Sequence, residues 1–272
     1  MSSALEKLRS GQVLRSVICL QWSNNEPGEY ELSHNSLLMS IPMSKPVQPV
    51  RGLLEQYRRR RRGDDMPNVR TDMTISLEGY ICGLAAQQPP YLDEGFFRIT
   101  EWAVAHEAWR ERAGFDGGAQ GTDDALLKEM FARAGAYVMG RRMFDSGEEP
   151  WGESPPFRAP VFVLTHRQRE PLIRKGGTTF HFVTQGLAAA IERAKAACGD
   201  RDVQISGGAR IVQQAITEGL LNEMHVHIAP VLLGQGTRLF DQLPDSVIEL
   251  DRYQVVDSPA VTHLGFRFPA AA

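Results

Sequence analysis

A strand that turns through two glycines into a helix constrains this chain more than any other stretch. Residues 203–206 form a short run with two β-branched residues, which is typical of a strand. Ile211, Val212 and Ala215 then recur at helical spacing, which predicts a helix. Gly207 and Gly208 join the two elements. Such a corner lets a phosphate approach bare backbone and unpaired helix amides, although a tight turn without a ligand would have the same sequence.

The residues around and after this corner carry a family resemblance. Three segments between Ile205 and Gly236 read Ile-Ser-Gly-Gly-Ala, Gly-Leu-Leu-Asn-Glu and Ala-Pro-Val-Leu-Leu-Gly-Gln-Gly. They resemble the C-terminal half of the dihydrofolate-reductase-like superfamily, and most of all the reductase domain of the bifunctional riboflavin-biosynthesis deaminase/reductase. With two further segments the resemblance covers about residues 69–268. It implies a three-layer α/β/α fold with a mixed, mostly parallel central sheet and a C-terminal antiparallel hairpin.

The order of predicted elements agrees with this fold. Strands and helices alternate from residue 69 to about residue 229, and two strands at 247–256 and 261–268 finish the chain as a hairpin. Alternation of this kind predicts a mixed sheet covered by helices. Ligands of such sheets bind at the carboxyl ends of the strands, so we expect one shared site there. Four predicted strand ends would contribute to it: Gly79, Gly140, Thr165 and Ser206.

The first predicted strand, residues 69–81, contains Ser-Leu-Glu-Gly-Tyr-Ile from position 76. This segment resembles the first-strand motif of riboflavin-type reductases, in which an acidic residue and a glycine end the strand beside the active site. The family usually has Asp where this chain has Glu78, and the extra methylene shifts the carboxylate. The resemblance implies that Ser76 and Glu78 face the substrate, with Glu78 as the candidate catalytic residue. A polar strand end without a catalytic role is the alternative.

Two further strand ends imply a cofactor. In the superfamily, the turn matching Gly140-Arg141-Arg142 contributes to the phosphate end of NADPH. Gly140 permits a tight turn, and an arginine there can form the charge-assisted pairs that a 2′-phosphate needs. Thr165 and His166 resemble the second edge of the same phosphate site. The pyrophosphate would be held by the backbone of the corner residues Ser206, Gly207, Gly208 and Ala209. Solvated arginines in an ordinary surface turn are the alternative.

Two aromatic residues are candidate substrate contacts. Trp102 lies on the apolar stripe of a predicted helix at 96–112, which indicates a core position; lining the pocket is the alternative. Phe144 follows the Gly-Arg turn, and the resemblance implies that it faces the substrate.

A metal site is not expected. His225 and His227 share one strand face, but a third ligand at a persuasive spacing is missing, so we expect a partly exposed strand face. Cys19, Cys82 and Cys198 are isolated and lack the spacing of a zinc site.

Residues 1–65 do not have the pattern of a domain. They hold ten Lys/Arg against seven Asp/Glu, including five arginines at 58–62, whereas residues 66–272 hold twenty against twenty-six. The acidic body argues against nucleic-acid binding. We expect a disordered tail or, if Met66 is the true start, a non-native extension, with the reductase domain at 66–272. Lacking an apolar run of membrane-spanning length or a signal peptide, the chain is expected to be cytoplasmic.

The resemblance implies an NADPH-dependent reductase acting on a small substrate, most closely of the 5-amino-6-(5-phosphoribosylamino)uracil reductase type, and a homodimer. Dihydrofolate reduction is an alternative, but the Pro-Trp loop of those enzymes is missing at 84–113. A non-catalytic NADPH-binding module is a second alternative. The H-x-E and P-C-x-x-C pattern of a deaminase does not occur in the chain, which predicts a stand-alone paralogue with an altered substrate.

Overall fold

A nine-stranded sheet organises residues 67–269, which are the residues that the computed structural model describes. The predictions for residues 1–65 and Met66 lie outside them. The strands are β1 Val69–Ile75, β2 Tyr80–Cys82, β3 Ala134–Gly140, β4 Pro160–Leu164, β5 Leu172–Ile173, β6 Thr179–Val183, β7 Asp202–Gly207, β8 Glu223–Ile228, β9 Thr237–Arg238, β10 Asp251–Asp257 and β11 Thr262–Arg267. The α-helices are α1 Glu94–Val104, α2 Glu107–Arg112, α3 Thr122–Arg133, α4 Arg141–Gly147, α5 Leu187–Ala197 and α6 Ala209–Thr217. Within this part of the chain, the helices are too short and too polar to cross a membrane.

The strand order is β10-β11-β8-β1-β7-β3-β4-β6-β5, and β2 pairs separately with β9. The six central strands from β8 to β6 run parallel. Antiparallel pairs flank them, with β11 and β10 at one side and β5 at the other. The predicted fold, a mostly parallel mixed sheet that ends in an antiparallel hairpin, is confirmed.

Both faces of the sheet are covered, as the side chains of β3 show. Ala136 and Val138 point into one hydrophobic core, where α5 and α6 pack. Tyr137 and Met139 point into another, on the side of α4. A strand buried on both faces has a continuous apolar sequence, which explains why β3 reads Ala-Gly-Ala-Tyr-Val-Met-Gly. Helices α1 to α3 lie on the second face, around a third core that contains Trp102.

Three predicted elements differ from the structure. The strand expected at 69–81 is divided into β1 and β2 by a turn at Gly79, whose φ of 92° suits glycine. Leu77 lies in that turn and is 66% exposed. The helix expected at 96–112 is two helices, because His106 is extended and precedes α2. The strand expected at 247–256 begins only at Asp251.

Candidate functional site

The carboxyl ends of four parallel strands meet at one edge of the sheet. Met139 at the end of β3 pairs with Gly207 at the end of β7, and Gly140 pairs with Leu164 at the end of β4. Strand β1 lies on the other side of β7. This is the clustering of strand ends that the sequence predicted. We call this region the open edge.

The Gly207–Gly208 corner leaves space directly above its backbone. Gly207 has a φ of 107°, which favours glycine, and the Gly207–Gly208 peptide is cis. A Cβ added to Gly208 would meet no atom within 4 Å. Helix α6 begins at Ala209 without a side-chain cap. The Ile211 amide bonds to the Gly208 carbonyl at 3.0 Å, which leaves the amides of Ala209 and Arg210 without an intrahelical partner. Bare backbone and helix amides beside open space fit a phosphate group.

Gly140 brings the next turn close to the same corner. A Cβ at Gly140 would lie 3.1 Å from Ile211 Cγ1 and 3.9 Å from the Gly207 carbonyl oxygen, so a larger residue would push the turn away from α6. Arg141 is half-buried and its Nε donates to Asp145 Oδ1 at 2.6 Å. Arg142 is exposed. Arg142 is therefore better placed than Arg141 to take an external anion.

The end of β4 adds a second basic segment. Thr165 is buried, with its amide bound to the Val183 carbonyl at 3.0 Å. Its Oγ1 accepts from the Arg167 amide at 3.1 Å, which shapes the turn. His166 and Arg167 are exposed beside it. Open backbone amides at α6 and exposed basic side chains on two neighbouring turns fit the phosphates of a dinucleotide.

Glu78 holds the loop after β8 against the end of β1. Its carboxylate accepts hydrogen bonds from the amides of Leu233 at 2.7 Å and Gly234 at 2.9 Å. Ser76 Oγ donates to it at 3.1 Å. These bonds, led by that from Leu233, keep the pKa of Glu78 below its ordinary value. Both oxygens are engaged by the protein, so the contacts make Glu78 a positioning residue for this loop; its catalytic role stays a prediction.

Three other residues predicted to face a substrate lie in the interior. Phe144 is fully buried among aromatic rings, because α4 turns that face towards the sheet. Ser76 is also fully buried, and its Oγ accepts from the Tyr80 amide at 3.2 Å to close the turn. Trp102 is 6% exposed and donates from Nε1 to Thr74 Oγ1 at 3.2 Å. In this structure they therefore form part of the framework of the site and do not contact open space.

His225 and His227 differ most from their prediction. The strand face that was expected to be partly exposed is covered by Trp102, whose ring lies 5.0 Å from the ring of His227. His227 is buried, and its Nδ1 lies 2.8 Å from Nδ1 of His263 on β11. His263 Nε2 lies 3.2 Å from Asp123 Oδ1 at the start of α3. We define the buried polar layer as Asp72, His225, His227, His263 and Asp123.

A second row of this layer crosses four strands. Asp72 Oδ1 lies 3.0 Å from His225 Nδ1, and His225 Nε2 lies 2.6 Å from the Tyr253 hydroxyl. Gly265 stands between them on β11; a Cβ there would come within 3.0 Å of Tyr253 Cζ and 3.1 Å of His225 Cδ2. Burial alone would raise the pKa of Asp72, but Arg70 and His225 keep it well below its ordinary value. Burial raises the pKa of Tyr253.

The layer was not predicted from the sequence, although one local signal is present. On β1, Arg70, Asp72 and Thr74 alternate with apolar or small residues, which indicates a second face that is polar and still buried. Among the residues that the structure describes, His, Cys, Asp and Glu do not form a group of three or more that could hold a metal ion. The contacts within the layer are hydrogen bonds and ion pairs.

Comparisons with known proteins agree with the fold. Residues 67–262 match the model of the RibD C-terminal domain family. A solved structure from Shewanella sp. PV-4, provisionally assigned to riboflavin biosynthesis, is 20% identical over 74% of this chain and 99% of that chain, with a TM-score of 0.53. RibD from Acinetobacter baumannii is 18% identical over 80% of this chain but only 62% of that chain, with a TM-score of 0.50. At these identities the two structures show a shared fold. No curated protein matches the chain significantly.

Proposed function

The chain belongs to the RibD C-terminal domain family, and we propose that it is an NADPH-dependent reductase of a small substrate. The substrate type that we propose is 5-amino-6-(5-phosphoribosylamino)uracil, a pyrimidine that carries a phosphorylated ribosylamino group. Family membership supports the reductase class. The structural observation that supports cofactor binding is the open corner at Gly207 and Gly208, where a Cβ on Gly208 would meet nothing within 4 Å.

The residues of the open edge have distinct roles in this proposal. The amides of Gly208, Ala209 and the first turn of α6 bind the pyrophosphate. Arg142, with Thr165 and His166 on the neighbouring turn, binds the 2′-phosphate side. When bound, the nicotinamide supplies a hydride. The protein's part is to orient the two reactants at the ends of β1 and β7 and to exclude water.

Glu78 supports the substrate side indirectly. By fixing the amides of Leu233 and Gly234, it sets the position of the loop that follows β8 beside the end of β1. We propose that this loop forms one wall of the substrate pocket. A homodimer and a cytoplasmic location stay predictions.

The first experiment places a negative charge in the open corner. Isothermal titration calorimetry of the full chain with NADPH compares the wild type with Gly208→Asp and with its uncharged isostere Gly208→Asn. Placing like charges together costs several kcal/mol, so we expect Gly208→Asp to weaken NADPH binding by at least about 100-fold. Gly208→Asn should lose much less NADPH affinity. Both variants should keep the wild-type melting temperature, because the added atoms meet open space.

Binding of NADPH to a folded Gly208→Asp protein with wild-type affinity would refute the pyrophosphate site. If the folded wild type binds neither NADPH nor NADH, the reductase proposal fails and the family likeness describes the fold alone. Binding of NADPH without oxidation by any pyrimidine or dihydrofolate substrate would instead favour a non-catalytic binding module.

The second experiment tests the 2′-phosphate edge. Arg142→Met removes a charge-assisted pair, worth about 1.5–3 kcal/mol, so we expect the preference for NADPH over NADH to fall by roughly tenfold or more. Arg252→Met is the matched control, because Arg252 is exposed on β10 at the far side of the sheet. Equal loss of NADPH and NADH affinity in Arg142→Met would remove Arg142 from the 2′-phosphate site.

A further inference from the structure

The short ribbon formed by β2 and β9 ends in an arginine whose backbone is held from two sides. Tyr80 on β2 pairs with Arg238 on β9, and the Leu239 amide donates to the Gly79 carbonyl at 2.9 Å. From the other side, Gln213 of α6 donates from Nε2 to the carbonyls of Arg238 at 3.3 Å and Leu239 at 3.0 Å. The backbone of Arg238 is therefore fixed between the turn that ends β1 and the helix that begins at the open corner.

The side chain of Arg238 is exposed but oriented. Its guanidinium carbon lies 4.9 Å from the centre of the Tyr80 ring, which is within the range of a cation–π contact. A guanidinium that stacks on an aromatic ring still has N–H donors at its edge, and their fork geometry matches two oxygens of a phosphate or carboxylate. The contact with Tyr80 therefore prepares Arg238 for an anion.

The carboxylates near Arg238 do not neutralise it by direct pairing. Within residues 67–269, Arg238 forms no salt bridge. A hydrogen bond to Tyr80 raises the pKa of Arg238, and the nearby carboxylates of Asp241 and Glu78 act in the same direction. Both oxygens of Glu78 already accept backbone amides of the loop after β8. The guanidinium of Arg238 thus keeps hydrogen-bonding capacity for a ligand.

Other arginines of this region are used by the protein itself. Arg141 donates to Asp145 at 2.6 Å. Arg169, on the loop after β4, binds both oxygens of Glu148 at 3.1 and 2.5 Å. These pairs show what a structural arginine looks like here, and Arg238 differs from them.

Arg238 lies on the substrate side of the open edge. It follows closely after the loop that Glu78 fixes, which is one wall of the proposed substrate pocket. The cofactor side is marked by Arg142. Burial raises the pKa of the Cys82 thiol, and the charge of Arg142 acts against this rise, so Arg142 lies near the end of the ribbon where Cys82 pairs with Thr237. The ribbon therefore has Arg142 near one end and Arg238 at the other.

We propose that Arg238 binds the phosphate group of the substrate. This inference rests on the proposed function, in which the substrate carries a ribose 5-phosphate and NADPH occupies the corner at Gly208. A phosphate of the cofactor has the same chemistry, so the experiment has to separate the two sources. The position of Arg238 beside the loop that Glu78 fixes favours the substrate.

The test is isothermal titration calorimetry of the full chain with ribose 5-phosphate and with ribose, each with and without saturating NADPH. We expect the wild type to bind ribose 5-phosphate at least about tenfold more tightly than ribose, which is the effect of one charge-assisted contact. Arg238→Met should remove most of this preference. Arg238→Lys should retain part of it, because lysine keeps the charge but not the fork.

Two controls accompany these variants. Arg252→Met changes an exposed arginine on β10 and should bind both sugars as the wild type does. The NADPH affinity of Arg238→Met should change by less than about twofold, since the cofactor phosphates bind elsewhere. Should Arg238→Met fail to fold, Arg238→Gln takes its place with the same expected loss.

Equal affinity of the wild type for ribose 5-phosphate and ribose would overturn the proposal, and so would an unchanged preference in folded Arg238→Met. A loss of NADPH affinity without a loss of ribose 5-phosphate affinity would assign Arg238 to the cofactor and overturn its assignment to the substrate. None of these measurements needs turnover. A preference that depends on Arg238, in a protein that never oxidises NADPH, would therefore sustain the phosphate subsite while the reductase proposal fails.

Discussion

The open edge and the buried polar layer use polar residues in opposite ways. At the open edge, Gly208 faces open space and Arg142 is exposed. In the layer, each titratable side chain is held by others, as when His263 lies between His227 and Asp123. A polar group whose hydrogen-bonding capacity is not filled by the protein is the one most available to a ligand. From this difference we propose that the open edge is the binding region and that the layer is an internal framework.

An ion network next to the layer shows most clearly how buried and exposed polar groups differ. Arg133 at the end of α3 donates to Asp202 Oδ2 at 2.9 Å and to Glu223 Oε2 at 2.8 Å, and all three side chains are buried. At the open edge, Arg141 makes a comparable pair with Asp145, but both side chains are about one-third exposed. The two arginines therefore form a matched test of what burial adds.

The largest effect is expected from Arg133→Met. Removing one partner from a buried ion network leaves uncompensated charge and costs about 3–5 kcal/mol. Arg141→Met should change the free energy of unfolding by less than about 1 kcal/mol, because exposed pairs contribute little. Urea unfolding of the full chain measures both. If Arg133→Met lowers the free energy of unfolding by less than about 1 kcal/mol, the interior adapts to the lost charge, and the buried and exposed arginines do not differ in their contribution to stability.

The sequence predicts the open edge well because its signals are local. The run at 203–206, the two glycines and the helix that follows are contiguous, and so are β3 and its Gly-Arg turn. Parallel strands then align their carboxyl ends by topology alone. The break between α1 and α2 was not predicted, because the apolar stripe continues across His106. The turn becomes visible only from the contact of His106 with the loop at Ala119.

The buried polar layer could not be assembled from sequence for a physical reason. His227 and His263 are separated by 36 positions, and His263 and Asp123 by 140. Two histidines at i and i+2 indicate a shared face, but they do not indicate what covers it. Gly265 is the least visible clue, because a missing side chain leaves room there for Gln254 and for the contact of Tyr253 with His225.

Acidification should weaken the buried polar layer. Burial lowers the folded pKa of His227 from an ordinary value of 6.5 to about 3, and that of His263 is also lowered. The unfolded state therefore binds these protons first, and stability is lost as pH falls from about 6.5 towards 3. Below about pH 4 the lowered pKa of Asp72 adds a loss of the same sign. Each proton contributes up to about 1.4 kcal/mol per pH unit.

Urea unfolding at pH 7, 6, 5 and 4 measures this slope. His227→Asn should flatten it whatever its effect at pH 7, whereas His166→Asn, at an exposed position of the open edge, should leave it unchanged. The same slope in wild type and His227→Asn would mean that His227 is not held neutral by burial.

The smallest effect is expected at Glu78, which holds the Leu233 and Gly234 amides beside the end of β1. Glu78→Gln keeps the shape of the side chain but replaces one acceptor oxygen with an amide that cannot accept from Leu233 or Gly234. The residue lies at the exposed end of β1, so the unfolding free energy should change little. Hydrogen exchange at the Leu233 and Gly234 amides should rise, and the apparent KM for substrate should rise several-fold with less effect on kcat.

Glu78→Asp separates positioning from chemistry, because it keeps the charge but shortens the reach to both amides. If Glu78 only fixes the loop, Asp and Gln should both raise KM and loosen the two amides. If its carboxylate takes part in proton transfer, Gln should abolish turnover while Asp retains it, and the loop amides should not predict the loss. The second result would restore Glu78 as a catalytic residue. It would also show that a carboxylate can take part in the reaction while both of its oxygens bind protein amides, in contrast to the open edge, where the proposed binding groups are free of such contacts.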